Sequence, residues 1–321
     1  MNQQVSKTVS PIKCQNLSKR FGEVVALDNL SLEIDRGTVF GFLGPNGAGK
    51  TTTLRLLAGI TKPTSGRIWV DHQEVTTNSI PLRSAIGYLP ESPAFYNWMT
   101  GREFLRFTAD LYGLETRNSL QRTKSLLKDV NLRDVADRKI KTYSRGMQQR
   151  LGLAQALINN PKILLLDEPA SALDPMGRRD VLKIIQSLKG ETTIFISTHI
   201  LADVERICDR VAIINNGKLV TSGSIEELQL QQNNQQFELV ISGDANPIAN
   251  NLQNMPWIRQ CTISKKNDLS VIQIKVTDVE TASKQLLKLL VDSEVILRRY
   301  EITSPSLEDI FMDLVDQKNR R

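Results

Sequence analysis

The chain has 321 residues, 40% of them hydrophobic and 24% charged. That length and balance exclude overall disorder and predict two domains with real cores, one near ~200 residues. Three scattered cysteines (Cys14, Cys208, Cys261) without a CxxC pair predict a reducing, cytosolic compartment, and a net charge of +6 reads as a solvated basic surface with no nucleic-acid partner expected.

Residues 1–13 lack an apolar signal core, and no apolar run approaches the ~18 residues of a membrane helix, so neither secretion nor a membrane span is expected. Residues 12–17, 24–27 and 30–34 read as three short alternating strands of an antiparallel layer, with Gly22 and Asp28-Asn29 as turns. The run 38–43 is continuously apolar, as a strand buried on both faces should be, and leads into a glycine loop. Helical spacing follows over 52–58 and stops at Gly59. His72 is read as a surface residue.

From about 97 to 131 the spacing is helical, with Phe104, Leu105, Leu111, Leu114, Leu120, Leu126, Leu127 and Val130 expected on apolar faces, an inserted helical subdomain. Helices 144–158, 177–188 and 201–208 then alternate with strands 163–166, 193–196 and 211–215, the pattern of a parallel sheet covered on both sides. The polar run QLQQNNQQ at 229–236 predicts a linker, placing the domains at 1–228 and 237–321. Beyond it, strand 237–242, a helix near 248–255, a hairpin of 261–264 and 271–276, helix 281–291 and strand 295–302 give a β-α-β-β-α-β, ferredoxin-like order, with a last helix over 306–316. This domain reads as a dimerisation or regulatory module, or as a packing cap.

Gly44-Pro45-Asn46-Gly47-Ala48-Gly49-Lys50-Thr51 satisfies GxxxxGK[ST] between a buried strand and a helix. Its backbone N–H groups, continuing through Thr52, would cradle phosphate oxygens at the positive end of the helix dipole. Lys50 is expected to reach the β- and γ-phosphates of ATP, and the Thr51 hydroxyl to sit on Mg2+. Such a loop alone does not choose among kinases, GTPases and ATPases. The apolar strand 163–166 runs into Asp167 and Glu168, the form of a Walker B segment. Asp167 would hold Mg2+ through water and Glu168 would polarise the attacking water, although a carboxylate pair after a strand can equally be a loop start.

Tyr143-Ser144-Arg145-Gly146-Met147-Gln148-Gln149-Arg150 resembles the signature motif of ATP-binding-cassette (ABC) proteins, usually LSGGQ. Ser144 and Gly146 match its serine and second glycine, whereas Arg145 and Met147 depart from its first glycine and glutamine. The resemblance continues in order over residues 12–222. Phe21 resembles the aromatic that stacks on adenine, Ser171-Ala172-Leu173-Asp174 the D-loop, and His199 the switch histidine. Gly87-Tyr88-Leu89-Pro90-Glu91 falls at the Q-loop with Glu91 in place of glutamine, where a carboxylate can ligate Mg2+.

What the resemblance implies is an α/β fold: a P-loop ABC ATPase with an antiparallel β layer and a helical subdomain, plus the small α+β C-terminal domain. It implies an ATPase using ATP and Mg2+, with Glu168 and His199 catalytic and Ser144, Arg145 and Gly146 arriving from a second ATP-binding subunit, as in a homodimer. The GYLPE segment, the signature and the tail Pro305-Ser306-Leu307-Glu308-Asp309-Ile310-Phe311 resemble exporter-type subunits that pair with separately encoded ABC-2 membrane proteins. The expected location is the cytoplasmic face of a membrane, held there by an integral membrane permease. Phe104, Phe107 and Tyr112 in the stretch 101–114 are expected either to contact a helix of that partner or to form subdomain core. The alternative, a soluble ABC ATPase acting on DNA or ribosomes, meets one P-loop, one signature, no long coiled coil and no zinc module. A small-molecule kinase leaves the signature unexplained.

Overall fold

A computed structural model of the chain describes residues 10–76, 84–171, 173–231, 236–243, 245, 248, 251–252, 255–266, 268–293, 295–303 and 306–312. The chain divides after Ser224 into two compact units, Met1–Ser224 and Ile225–Arg321.

The first unit opens with β1 (Ile12–Phe21) and β2 (Val24–Ile34), two long antiparallel strands instead of the three short ones expected. Asp28-Asn29 is not a turn. Asn29 adopts φ 55 as an extra residue within β2, and its N–H donates to Ser18 Oγ at 2.9 Å; a matching irregularity at Asn16 (φ 48) donates to Ser31 Oγ at 2.9 Å. Asparagine enters the left-handed region cheaply, so the strands bend without ending. β4 (Ser65–Val70) pairs with β1, and β5 (Gln73–Glu74) returns on β4 through Asp71 and His72, both at positive φ as a two-residue hairpin requires. His72 is exposed there.

The second sheet has the order β10-β9-β3-β8-β7-β6. β3 (Val39–Leu43), β6 (Ile86–Leu89), β7 (Ile163–Asp167), β8 (Thr193–Thr198) and β9 (Arg210–Asn215) are parallel, and β10 (Lys218–Ser224) is an antiparallel edge. Every residue of β3, β7 and β8 is buried, which is why they read as apolar runs. Phe195 of β8 lies between Phe40 and Phe42 of β3, with ring centroids 5.7 and 5.2 Å away. Burying each such ring stabilises the sheet by about 1.5–3 kcal/mol. Burial also pushes the Cys14 thiol of β1 up to about 12, so it stays protonated. Because the central strands are parallel, their C-terminal ends open on one edge, where ligands of such sheets bind.

Helices α1 (Lys50–Leu57), α4 (Arg145–Leu157), α5 (Pro175–Ser187) and α6 (Leu201–Ile207) connect these strands. The inserted subdomain contains α2 (Gly101–Leu111) and α3 (Thr116–Asp129). α2 starts at a capping box in which Glu103 N donates to Thr100 Oγ1 at 3.1 Å and Thr100 N to Glu103 Oε2 at 2.7 Å. Phe104, Leu105, Leu126, Leu127 and Val130 are buried as expected. Leu111 and Leu120 are not: they lie 71% and 47% exposed, because the core stripes of α2 and α3 run through Phe104, Thr108, Thr123 and Leu127 instead.

The second unit begins with α7 (Ile225–Gln231), so the predicted linker 229–236 is helical as far as Gln231 and re-enters strand at Gln236; the residues between lie outside those described. β11 (Gln236–Ser242), β12 (Ile258–Lys266), β13 (Leu269–Val276) and β14 (Ile296–Thr303) form an antiparallel sheet of order β12-β13-β11-β14. Ile248, Asn251 and Leu252 are helical, and α8 (Val279–Val291) joins β13 to β14, which is the ferredoxin-like arrangement. Phe237, Leu239, Ile241, Ile272, Ile274 and Leu286 are in its core. Of the predicted last helix, Leu307–Met312 is described and helical. Among the described residues no helix is long and apolar enough to cross a membrane.

Candidate functional site

At the C-terminal end of β3 the chain turns through Gly44–Gly49 into α1. Glycine is required at two places in that turn. A Cβ on Gly44 would stand 2.4 Å from the Ile214 carbonyl oxygen, and Gly49, the N-cap of α1, has φ 108 with the Ala26 carbonyl 2.5 Å from where a Cβ would lie. The first N–H to enter the helix ladder is that of Thr53, bonded to Gly49 O at 2.9 Å. The amides of Lys50, Thr51 and Thr52 are left for a ligand, at the positive end of the helix. Lys50 Nζ, almost fully buried, donates to the carbonyls of Gly44 (2.8 Å) and Pro45 (3.2 Å) and lies 3.5 Å from Glu168 Oε1.

β7 and β8 end beside this loop. Asp167 Oδ1 accepts from Thr51 Oγ1 at 3.2 Å and from Ser197 Oγ, its register partner on β8. Glu168 leaves the strand in the left-handed region (φ 47), a costly backbone state for a glutamate that bends its carboxylate into the cleft. Its own N–H donates to Ser197 O at 3.0 Å. His199, just beyond β8, sets Nδ1 3.0 Å from both carboxylate oxygens. A carboxylate only accepts, so Nδ1 carries a proton. On β6, burial first and the Asp167 charge second push the Tyr88 phenol up, against a hydrogen bond with Arg55.

Lys50, Thr51, Glu168 and His199 line a cleft of about 460 Å3 together with Asn46, Gly47, Gly49, Thr52 and Glu91. Val24, Val25 and Ala26 form its apolar wall, a feature that sequence reading missed although these residues directly follow the Phe21 hairpin. Ser197 was missed too; its signal was its place across from Asp167 at the end of a buried strand. Phe21 is 53% exposed, outside the cleft's lining, with Lys19 Nζ 4.7 Å over its ring. Gly44, Ala48 and Asp167 are buried and Pro45 is exposed, and none of the four belongs to the cleft's lining. Ser144, Arg145 and Gly146 are not in this cleft either: Ser144 and Arg145 are exposed at the start of α4, where Ser144 Oγ caps the helix by accepting from Met147 N at 3.3 Å. Of the D-loop segment, Ser171, Leu173 and Asp174 follow Glu168 into α5, and Ala172 lies outside the described residues.

The donors suit magnesium. Thr51, Asp167 and Glu91 offer oxygen only, and among the described residues no cluster of three His, Cys, Asp or Glu could hold a metal unaided. That is the sparse protein ligation expected where substrate phosphates and water complete the octahedron.

An amide nest with its lysine, a magnesium-type carboxylate and a second carboxylate held between Lys50 and His199 define a P-loop nucleoside triphosphatase. The ABC transporter family profile matches residues 27–171, and the C-terminal domain of DrrA1-3-like ATP-binding proteins matches residues 223–315. The ABC transporter ATP-binding protein YxlF of Bacillus subtilis (strain 168) is 38% identical over 304 residues, covering 95% of this chain and 99% of its own. The bacitracin transport ATP-binding protein BcrA of Bacillus licheniformis is 35% identical, covering 95% and 97%, and the daunorubicin resistance ATP-binding protein DrrA3 of Streptomyces coeruleorubidus 31%, covering 96% and 97%. Among solved structures, an ATP-binding subunit of an ABC transporter superposes with TM-score 0.64 at 30% identity over 69% of this chain and 93% of that one. A dimeric post-hydrolysis state of the cassette MJ0796 bound to ADP and Pi gives 0.61 at 26% identity over 67% and 98%. The chain belongs to the ATP-binding proteins of ABC transporters: it binds and hydrolyses ATP to power transport.

Proposed function

We propose that two copies of this chain close head to tail on two ATP molecules and drive export through a separately encoded membrane permease, at its cytoplasmic face. The observation that carries the pairing is the exposed start of α4: Ser144, Arg145 and Gly146 begin a helix whose N-terminus is suited to an anion and lines no part of its own cleft. Export is the reading favoured by the printed functions of the bacitracin and daunorubicin-resistance relatives.

In this reading the P-loop amides and Lys50 hold the phosphates, Val24–Ala26 take the base, and Thr51, Asp167 and Glu91 are the residues that would hold Mg2+ directly or through water. The ion would neutralise charge on the β- and γ-phosphates. Glu168 orients and deprotonates water, and His199, with Nδ1 committed to Glu168, meets the γ-phosphate through Nε2 as an N–H donor. Release of phosphate removes the contacts that hold the pair shut, and opening is the mechanical output. For the permease contact, Phe104 is excluded because it is buried against Phe95 (5.1 Å between centroids). Tyr96 and Trp98, half or more exposed with ring centroids 6.1 Å apart and planes tilted at 44°, together with the exposed Leu111 at the end of α2 and Tyr112 just after it, are the surface proposed instead.

The test is isolation from native membranes in mild detergent. A polytopic membrane protein in stoichiometric amount that changes the ATPase rate is the expected result, whereas stimulation by DNA or ribosomes in its absence would replace the transport reading. For the metal site, Glu91→Gln is expected to keep ATPase activity while raising the Mg2+ concentration for half-maximal rate about tenfold, since one anionic oxygen is lost. An unchanged Mg2+ titration would remove Glu91 from the metal's ligands.

A further inference from the structure

Two charged residues outside the cleft connect the helices that precede and follow β8. Arg178 on the first turn of α5 donates from Nε to Asp203 Oδ1, on the first turn of α6, at 2.7 Å. Asp203 is nearly buried and Arg178 about one-third exposed (side chains 9% and 32%). Burial pushes the Asp203 carboxyl up, and the hydrogen bond and charge of Arg178 oppose that shift. Such a pair, largely out of water, is costly to break from one side.

The two helices differ in how firmly they are held. α5 is capped by Asp174, whose Oδ1 accepts from Gly177 N at 2.9 Å, and it buries Val181, Leu182 and Ile185. Asp180 also ties it to Arg150 of α4, at 3.6 Å. α6 is only seven residues long, and its N-cap, Ile200, offers no side-chain hydrogen bond. Its first turn begins two residues after His199, whose ring leans on Glu168 alone among the described side-chain partners.

We infer that Arg178 and Asp203 form a positioning pair, which pins the start of α6 to α5 and so holds the His199 ring against Glu168 in register with the cleft. Neither residue lines the cleft, so both act through His199. This rests on the reading of His199 as the γ-phosphate contact. One consequence is that the switch histidine and the signature helix α4 are both tied to a single platform, α5, by Arg178–Asp203 and Arg150–Asp180.

A double-mutant cycle tests this. Asp203→Asn and Arg178→Met are each expected to lower kcat about tenfold with KM for ATP within about twofold, and Arg178→Lys to recover part of the loss. In a His199→Ala background the same substitutions should cost less than about twofold, because their target is already gone. Circular dichroism and melting temperature establish that each variant is folded; should Asp203→Asn fail this check, the more exposed Arg178→Met completes the cycle. Equal tenfold losses in both backgrounds would overturn the proposal, as would normal kcat in folded Arg178→Met. Normal turnover by His199→Ala itself, with Arg178 and Asp203 intact, identifies the histidine reading as the step that failed, and the positioning role falls with it.

Discussion

Glu168→Gln is expected to bind ATP and form the ATP-closed dimer while turning over about 10²–10³-fold more slowly, the contribution of one positioned general base. That corresponds to roughly 3–4 kcal/mol of barrier. The substitution isolates proton transfer from positioning. A glutamine carbonyl can still accept from His199 Nδ1, now 3.0 Å from the carboxylate, and can still occupy the left-handed backbone site at φ 47. What it lacks is the negative charge that takes a proton from water. Equilibrium ATP binding, ATP-dependent sedimentation and single-turnover hydrolysis together make the measurement. Turnover within about twofold of the native rate would show that another group activates the water, whereas loss of binding would show that the carboxylate is needed to organise Lys50.

How much of this was legible beforehand depended on whether a residue's role is local. The P-loop, Asp167-Glu168 and His199 each follow a buried strand, and a continuous apolar run ending in polar residues is visible in one dimension. Their convergence follows from topology alone, because parallel neighbours end on the same edge. Bulges were not legible. Asn16 and Asn29 each look like turn residues, and only the register between β1 and β2 reveals that Ser31 and Ser18 satisfy the extra backbone groups and let the strands continue. β10 was missed because Lys218–Ser224 is polar, although Asn216-Gly217, both at positive φ, is a strong hairpin signal. α7 was hidden within a glutamine-rich run for the opposite reason: its composition suggests a linker, while glutamine itself is a good helix former. Leu111 and Leu120 show the limit of periodicity, since a helix offers neighbouring stripes and tertiary packing chooses between them.

Lys50→Met should have an effect of comparable size with a different signature: kcat lowered at least ~10³-fold and ATP affinity lowered only about tenfold. Methionine fills the lysine's buried niche without charge, so the loop keeps its shape apart from the two hydrogen bonds to Gly44 and Pro45 carbonyls, worth about 1.5–3 kcal/mol each for a charged donor. The ground-state phosphates retain the helix terminus and the amides. What disappears is a cation whose attraction to the γ-phosphate oxygens increases as charge redistributes in the transition state, in a niche where little water screens it. The native ammonium also sits 3.5 Å from Glu168, so its removal leaves that buried carboxylate with His199 as its remaining close partner. Adding His199→Ala to Lys50→Met should therefore lower the melting temperature by more than the sum of the two separate effects, since only the double variant leaves the buried carboxylate without either partner. Titration of a fluorescent ATP analogue alongside steady-state kinetics separates the two losses. If affinity and kcat fall by the same factor, Lys50 contributes uniform binding and the transition-state role passes to the P-loop amides and the metal.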